Sequence, residues 1–176
     1  MAATPLTAAI GAQSPGDEAQ VKAAFVYNFI KFVNWPADVV QRSGDSIVVA
    51  VIGDGSVADA AERLLAGKQV GDRRVVVRRS KADQPLTGVQ AIFVTESDAK
   101  KVHRVLDGAT GRPILSIGDA NGFAESGGII GLVIEDRKVR FEIDQDAADS
   151  AGLKISSKLL ALSRVVHSKA KSGDHP

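Results

Sequence analysis

Gly53, Gly55 and Ala58 reproduce the spacing G-x-G-x-x-A directly after a β-branched apolar run. A dinucleotide phosphate bound there would rest on free backbone N–H groups at the start of a helix. No Asp or Glu closes the following strand to hold a ribose hydroxyl, although Arg78 and Arg79 stand there and suit a 2′-phosphate. The competing reading is a strand-to-helix turn that needs glycine. A second candidate is the glycine-rich segment 118–128, which follows the fourth strand. Ligands of open α/β sheets bind beyond the carboxyl ends of the strands. Asp54, Thr95, Glu96, Asp119, Asn121 and Phe123 are expected to line one such crevice together. A plain connecting loop is the alternative.

Other chemistry is poorly supported. His103, His167 and His175 stand in no metal-ligand spacing with one another, so they read as surface residues and no metal is expected. Ser156, Ser157 and Lys158 lack the Ser-x-x-Lys spacing that brings an amine to a hydroxyl one turn away, and are read as capping or packing residues. Asp144, Asp146 and Asp149 lack the central glycine and terminal glutamate of a calcium loop, which makes Asp144 a helix cap. The chain has no cysteine, which removes thiol catalysis, disulfides and Cys-ligated metal. No nucleophile, base and acid form a set, so no catalytic residue and no cofactor is expected.

The elements that position these residues follow from the apolar pattern. With 176 residues and 44% hydrophobic content, the chain can bury one core and is too short for two ordinary domains with a linker. Continuous apolar runs at 47–52 and 91–94 read as strands covered on both faces, with further strands at 75–77 and 113–117. Helices fall between them, one opening at Ser56 and one capped by Ser97 or Asp98. Alternating strands and helices describe crossover units and a mostly parallel twisted sheet with helices on both faces, an α/β single-domain sandwich. Runs at 129–134 and 139–143, separated by four polar residues, form a C-terminal antiparallel hairpin at the sheet edge. A last helix after Gly152 carries Ile155, Leu159, Leu162 and Val166 on one face. Residues 17–167 form this domain. Residues 1–16 read as a signal-peptide remnant or a disordered terminus, and 168–176 as a disordered tail.

Five of the eight aromatic residues, Phe25, Tyr27, Phe29, Phe32 and Trp35, fall in a run that stops at Pro36. Between Ala23 and Val33 only Asn28 and Lys31 are clearly polar, so a helix over 18–34 must be buried or bound. The phenylalanines are expected in the core. Tyr27, Lys31 and Trp35 are expected to reach a protein partner, since aromatic residues anchor interfaces. Arg140 and Glu142 alternate with Val139, Phe141 and Ile143, and are expected on an open face as a second contact. The 22 basic and 21 acidic residues are interspersed, so no footprint for nucleic acid is present. No run approaches the roughly 18 apolar residues of a membrane span, and no direct membrane insertion is expected.

Three stretches taken together, 21–36, 67–79 and 123–160, resemble the YfiR family of bacterial periplasmic proteins. The resemblance rests on the aromatic helix ending in Trp35-Pro36, and on Val139-Arg-Phe-Glu-Ile143 followed by Gly152-Leu-Lys-Ile-Ser-Ser157. It implies an α/β sandwich that tends to dimerise, located in the periplasm, with no enzymatic activity. It further implies a repressor that binds the periplasmic sensory domain of an inner-membrane diguanylate cyclase, lowering cyclic di-GMP and biofilm formation. The alternative function is a small-ligand sensor using the crevice at the strand ends. Relatives often carry cysteines whose disulfides affect redox response, and this chain has none.

Overall fold

A computed structural model describes residues 15–168. The expectations for the termini concern mainly residues 1–14 and 169–176, with His175 among them, and these lie outside the described residues.

Helix α1 (Pro15–Lys31) opens the fold and leads through β1 (Val33–Asn34) to α2 (Ala37–Ser43). Next come β2 (Ser46–Ile52), α3 (Ser56–Leu65), β3 (Gln69–Val70), β4 (Arg73–Ser80), β5 (Ala91–Val94), α4 (Ala99–Ala109) and β6 (Leu115–Gly118). The chain finishes with β7 (Ile130–Glu135), β8 (Lys138–Asp144), α5 (Gln145–Ser150), β9 (Lys154–Ile155), α6 (Ser157–Leu162) and β10 (Arg164–Val166). An eight-stranded sheet runs in the order β10-β8-β7-β6-β5-β2-β4-β3, and β1 pairs with β9 in a separate two-stranded sheet. Strands β4, β2, β5, β6 and β7 are mutually parallel, while β8 and β3 run antiparallel to their hairpin partners.

The alternation of β2 shows how the two faces are covered. Ile47, Val49 and Val51 join a core with α1 and α3, whereas Ala50 and Ile52 join a second core with Val102, Val105, Leu106 and Ala109 of α4. Period-2 side-chain placement forces this division, and an all-apolar strand is its sequence consequence. The expected mixed sheet with helices on both faces is therefore the observed architecture.

Helix α1 buries Ala19, Ala23, Val26, Phe29 and Ile30. Phe25 and Phe29 stack with ring centroids 5.8 Å apart, and both meet Phe141 of β8, at 5.6 and 5.0 Å. Offset and edge-on ring contacts of this kind add about 0.5–1.5 kcal/mol each beyond area burial. Phe32 differs from its neighbours: it is 37% exposed, outside the core expected for it.

Several local expectations are corrected. The first helix stops at Lys31, because Val33 and Asn34 pair with Ile155 and Lys154. The polar segment after Pro36 contains α2, closed by Gly44 at φ 58°. The strand at 75–77 extends over the whole of β4 and forms a hairpin with β3. The helix expected at 152–166 is instead β9, α6 and β10, since Ile155 enters the small sheet and Val165 and Val166 pair with β8. Leu162, assigned to that helix's apolar face, is 77% exposed. The β7–β8 hairpin turns on Asp136 and Arg137, both at positive φ, as a two-residue turn between right-twisted strands requires. It does not end the sheet, because β10 lies beyond it, parallel to β8.

Phe29→Ala should destabilise the protein by about 3–5 kcal/mol, since it empties a fully buried ring position. Phe32→Ala should cost well under half of that; equal midpoint shifts of the two variants in urea would contradict this packing.

Candidate functional site

Tyr27 sits half-buried on α1, beside the β3 edge of the sheet, and its hydroxyl donates to the backbone carbonyl of Gln69 at 2.7 Å. Lys31, one turn along the helix, places its Nζ 5.3 Å from the Tyr27 ring centroid, and Lys68 places its own 5.8 Å away. Both distances lie within the reach of cation–π attraction. Trp35 is not part of this patch. Its indole N–H donates to the carbonyl of Gln90 at 3.0 Å and the ring packs against the core, fixing the end of α1 to the start of β5.

The second expected contact also divides. Arg140 is exposed, whereas Glu142 is 8% exposed and accepts from Arg164 of β10 at 3.2 Å. Arg164 also binds Glu135 at 2.8 Å. Glu142 thus reinforces the pairing of β8 with β10, and the face expected to be open is covered at that position.

The residues expected to form one crevice occupy two places. Asp54 and Glu96 line a cavity of about 360 Å³ at the carboxyl ends of β2, β4 and β5, together with Lys81, Asp83, Lys101 and Arg104. Thr95 does not line it; its hydroxyl donates to the Ile52 carbonyl at 3.3 Å. Glu96 accepts from the backbone N–H of Ser97 and Asp98 and from Lys101 at 3.1 Å. The Asp98 N–H, followed by Lys101, holds the Glu96 carboxyl below the usual carboxylate range. Asp119, Asn121 and Phe123 do not line this cavity. Asn121 is exposed, and Phe123 is buried against Gly118 and Gly128, where a Cβ at either glycine would collide with its ring. Gly118 and Gly128 therefore make room for a core side chain.

Asp119 instead takes part in a pair that the sequence reading did not include. Lys22, on the buried side of α1, bridges Glu18 at 2.8 Å and Asp119 at 3.2 Å. Burial alone would lower the Lys22 pKa, but hydrogen bonds and charge from Glu18 and Asp119 overcome this and raise it. The Glu18–Lys22 spacing of four was the legible signal; the link to Asp119 depends on the fold.

The dinucleotide spacing resolves as the glycine-requiring turn. Gly53 adopts φ 117°, and a Cβ there would strike Thr95 Oγ1 across the sheet. Arg79 is engaged by the Gly53 carbonyl at 3.0 Å, Asp59 at 3.1 Å and Glu62 at 3.4 Å, so carboxylates occupy the cation a 2′-phosphate would need. Asp144 does cap α5, accepting from Ala147 at 3.0 Å. Asp144, Asp146 and His167 converge within 4.8 Å, a grouping that no sequence spacing announced. The Asp144 oxygens already accept the Ala147 and Ser168 N–H groups, and His167 Nδ1 meets Asp146 at 3.0 Å.

The pattern of residues 19–164 matches the YfiR/HmsC-like family, DUF4154. The chain belongs to this family. The YfiR/HmsC-like proteins are periplasmic regulators associated with diguanylate cyclase signalling, not catalysts. Two solved structures share the fold. One is a conserved domain protein from Vibrio cholerae, at 14% identity and TM-score 0.55, covering 84% of this chain and 59% of that one. The other is an ABC domain in complex with L-Trp from Streptococcus pneumoniae, at 13% identity and TM-score 0.53, covering 85% of this chain and 60% of that one. The chain thus spans about three fifths of each. Among the described residues, no helix is long and apolar enough to cross a membrane.

Lys22→Met should cost about 1–3 kcal/mol at neutral pH by leaving a largely buried Asp119 without its cation. Because the folded Lys22 pKa lies above its ordinary 10.5, the stabilisation is complete below that pH and is lost as pH rises through the folded value. Urea denaturation across alkaline pH should therefore show wild type and variant converging; a gap that stays constant through that range would refute the assignment.

Proposed function

We propose that this protein is a periplasmic repressor that binds the periplasmic sensory domain of an inner-membrane diguanylate cyclase, lowering cyclic di-GMP and biofilm formation. The observation that carries this reading is the family match over residues 19–164. Tyr27, Lys31 and Arg140 reach solvent and are the proposed contacts. Trp35 and Glu142 are engaged within the chain, with the Gln90 carbonyl and Arg164, and are not proposed as direct contacts. A half-buried tyrosine with its hydroxyl already fixed loses little side-chain freedom on binding, which favours it as an anchor. A homodimer is the proposed oligomeric state.

The test is capture from detergent-solubilised membranes of the producing bacterium, with cyclase activity measured in parallel. A membrane diguanylate cyclase should be captured and its activity should fall. Tyr27→Ala should weaken capture by at least about thirtyfold, as loss of an interface anchor worth about 2 kcal/mol does. Capture by Arg140→Glu should weaken with no change in urea midpoint. Reproducible capture of no cyclase would remove this reading.

A second reading, a small-ligand sensor, is favoured by the cavity at the strand ends. Arg104 and Lys81 line it and form no ion pair among the described residues, opposite the carboxylates of Asp54 and Asp83. Such a lining suits a small polar molecule carrying both charges. A thermal-shift screen of free amino acids should then give a saturable rise in melting temperature that Arg104→Ala abolishes; a flat response would remove the sensor.

A further inference from the structure

We propose that Tyr27, Lys31 and Lys68 form a docking site for an acidic segment of the protein partner. This inference rests on the repressor reading and names the chemistry of its contact. The carrying observation is the convergence of two exposed lysines on one aromatic ring. Arg79 is surrounded by Asp54, Asp59 and Glu62, and Arg164 is held between Glu135 and Glu142. Lys101 is paired with Glu96, and Lys22 with two carboxylates. Each of these cations is neutralised within the chain. Lys31 and Lys68 are exposed, share a single aromatic ring, and pair with no carboxylate among the described residues.

Two exposed ammonium groups within about 6 Å of one ring centroid, with no carboxylate paired to either among the described residues, make the patch complementary to negative charge. The ring is also fixed in place. The Tyr27 hydroxyl is committed to the Gln69 carbonyl, and its helix is anchored at one end by Lys22 and beyond the other by Trp35. A fixed aromatic ring with two exposed lysines beside it suits a carboxylate next to an apolar side chain, the pattern of an acidic segment with interspersed aliphatic or aromatic residues. Neighbouring elements place Gln69 and Val70 at the rim, the first contributing backbone and the second a half-buried apolar side chain.

The experiment uses the full chain, labelled with ¹⁵N, and a decapeptide alternating Glu and Leu as probe. Amide shifts should centre on Tyr27, Lys31, Lys68 and Gln69 and should collapse at high salt, where charge contacts are screened. The doubly reversed variant K31E/K68E should bind this peptide at least about tenfold more weakly, and should bind a peptide alternating Lys and Leu in its place. Shifts centred elsewhere, or undiminished in K31E/K68E, would overturn the proposal. Membrane capture separates it from the repressor reading. If K31E/K68E captures the cyclase as well as wild type does, the acidic docking site falls while the repressor reading stands. If wild type captures no cyclase but binds the peptide at Tyr27, the repressor reading falls and the site stands.

Discussion

Burial of one helix, almost wholly apolar from Ala23 to Ile30, is the constraint on which the rest of the structure depends. Helix α1 precedes every strand of the main sheet, and its apolar face is covered only once α3 and the strands beneath it are in place. Its stacked rings Phe25 and Phe29 meet Phe141 from the far end of the chain, so closing the core joins residues more than a hundred positions apart. Contacts of such separation cost loop-closure entropy before they give any return. The return is one continuous core over the α1 and α3 face of the sheet, with α4 closing the other. Once α1 is seated, its remaining stripe is determined: a helix that buries Val26, Phe29 and Ile30 must turn Tyr27 and Lys31 outward. The exposed patch is a geometric consequence of the buried one.

The polar interactions serve the same seating. Lys22 ties the first half of α1 to Asp119 at the end of β6, and Trp35, just past β1, ties the chain to Gln90 at the start of β5. Gln90 in turn accepts Leu115 N–H on its carbonyl and Val48 N–H on its side chain, which locks three parallel strands at one level. Buried polar groups cost free energy unless paired, and no buried side-chain polar atom among the described residues is left without a partner. This full satisfaction distinguishes the interior from the surface around Tyr27, where charge is left unneutralised.

The legible and illegible parts of the fold divide on physical grounds. The β2 and β5 runs were readable because a strand covered on both faces must be continuously apolar, and α4 because its apolar residues recur at helical spacing after an Asp98 cap. The hairpin turn was readable from four polar residues between two alternating runs. The segment 152–166 was not, since spacings of three and four also fit a chain that visits a strand, a short helix and another strand in turn. Its fate was decided by partners distant in sequence, Val33 for Ile155 and Glu142 for Arg164. The same holds for the site. Tyr27 and Lys31 were found from composition, but Lys68 joins them only through the packing of α1 beside β3, and Glu142 was misplaced because β10 had been read as helix. The glycines of 118–128 suggested a ligand, and two of them, Gly118 and Gly128, make room for Phe123.

The edges of the sheet bear on how such a protein can recognise another. An exposed edge strand offers a row of unpaired N–H and C=O groups to any extended chain, and the usual protections are shortness and charge. The outermost strands are short, β3 with two residues and β10 with three, and each covers only one end of its neighbour, β4 or β8. Arg164 places its guanidinium across β8 and onto Glu135, so that edge also carries charge. The contact proposed above works instead through side chains. Rigid aromatic area and uncompensated charge are what side chains can supply, and at the β3 edge both occur together, in the ring of Tyr27 and the two lysines beside it. In the proposed reading, that fixed and charged face, rather than main-chain pairing, is what the β3 end of the sheet offers to an acidic partner segment.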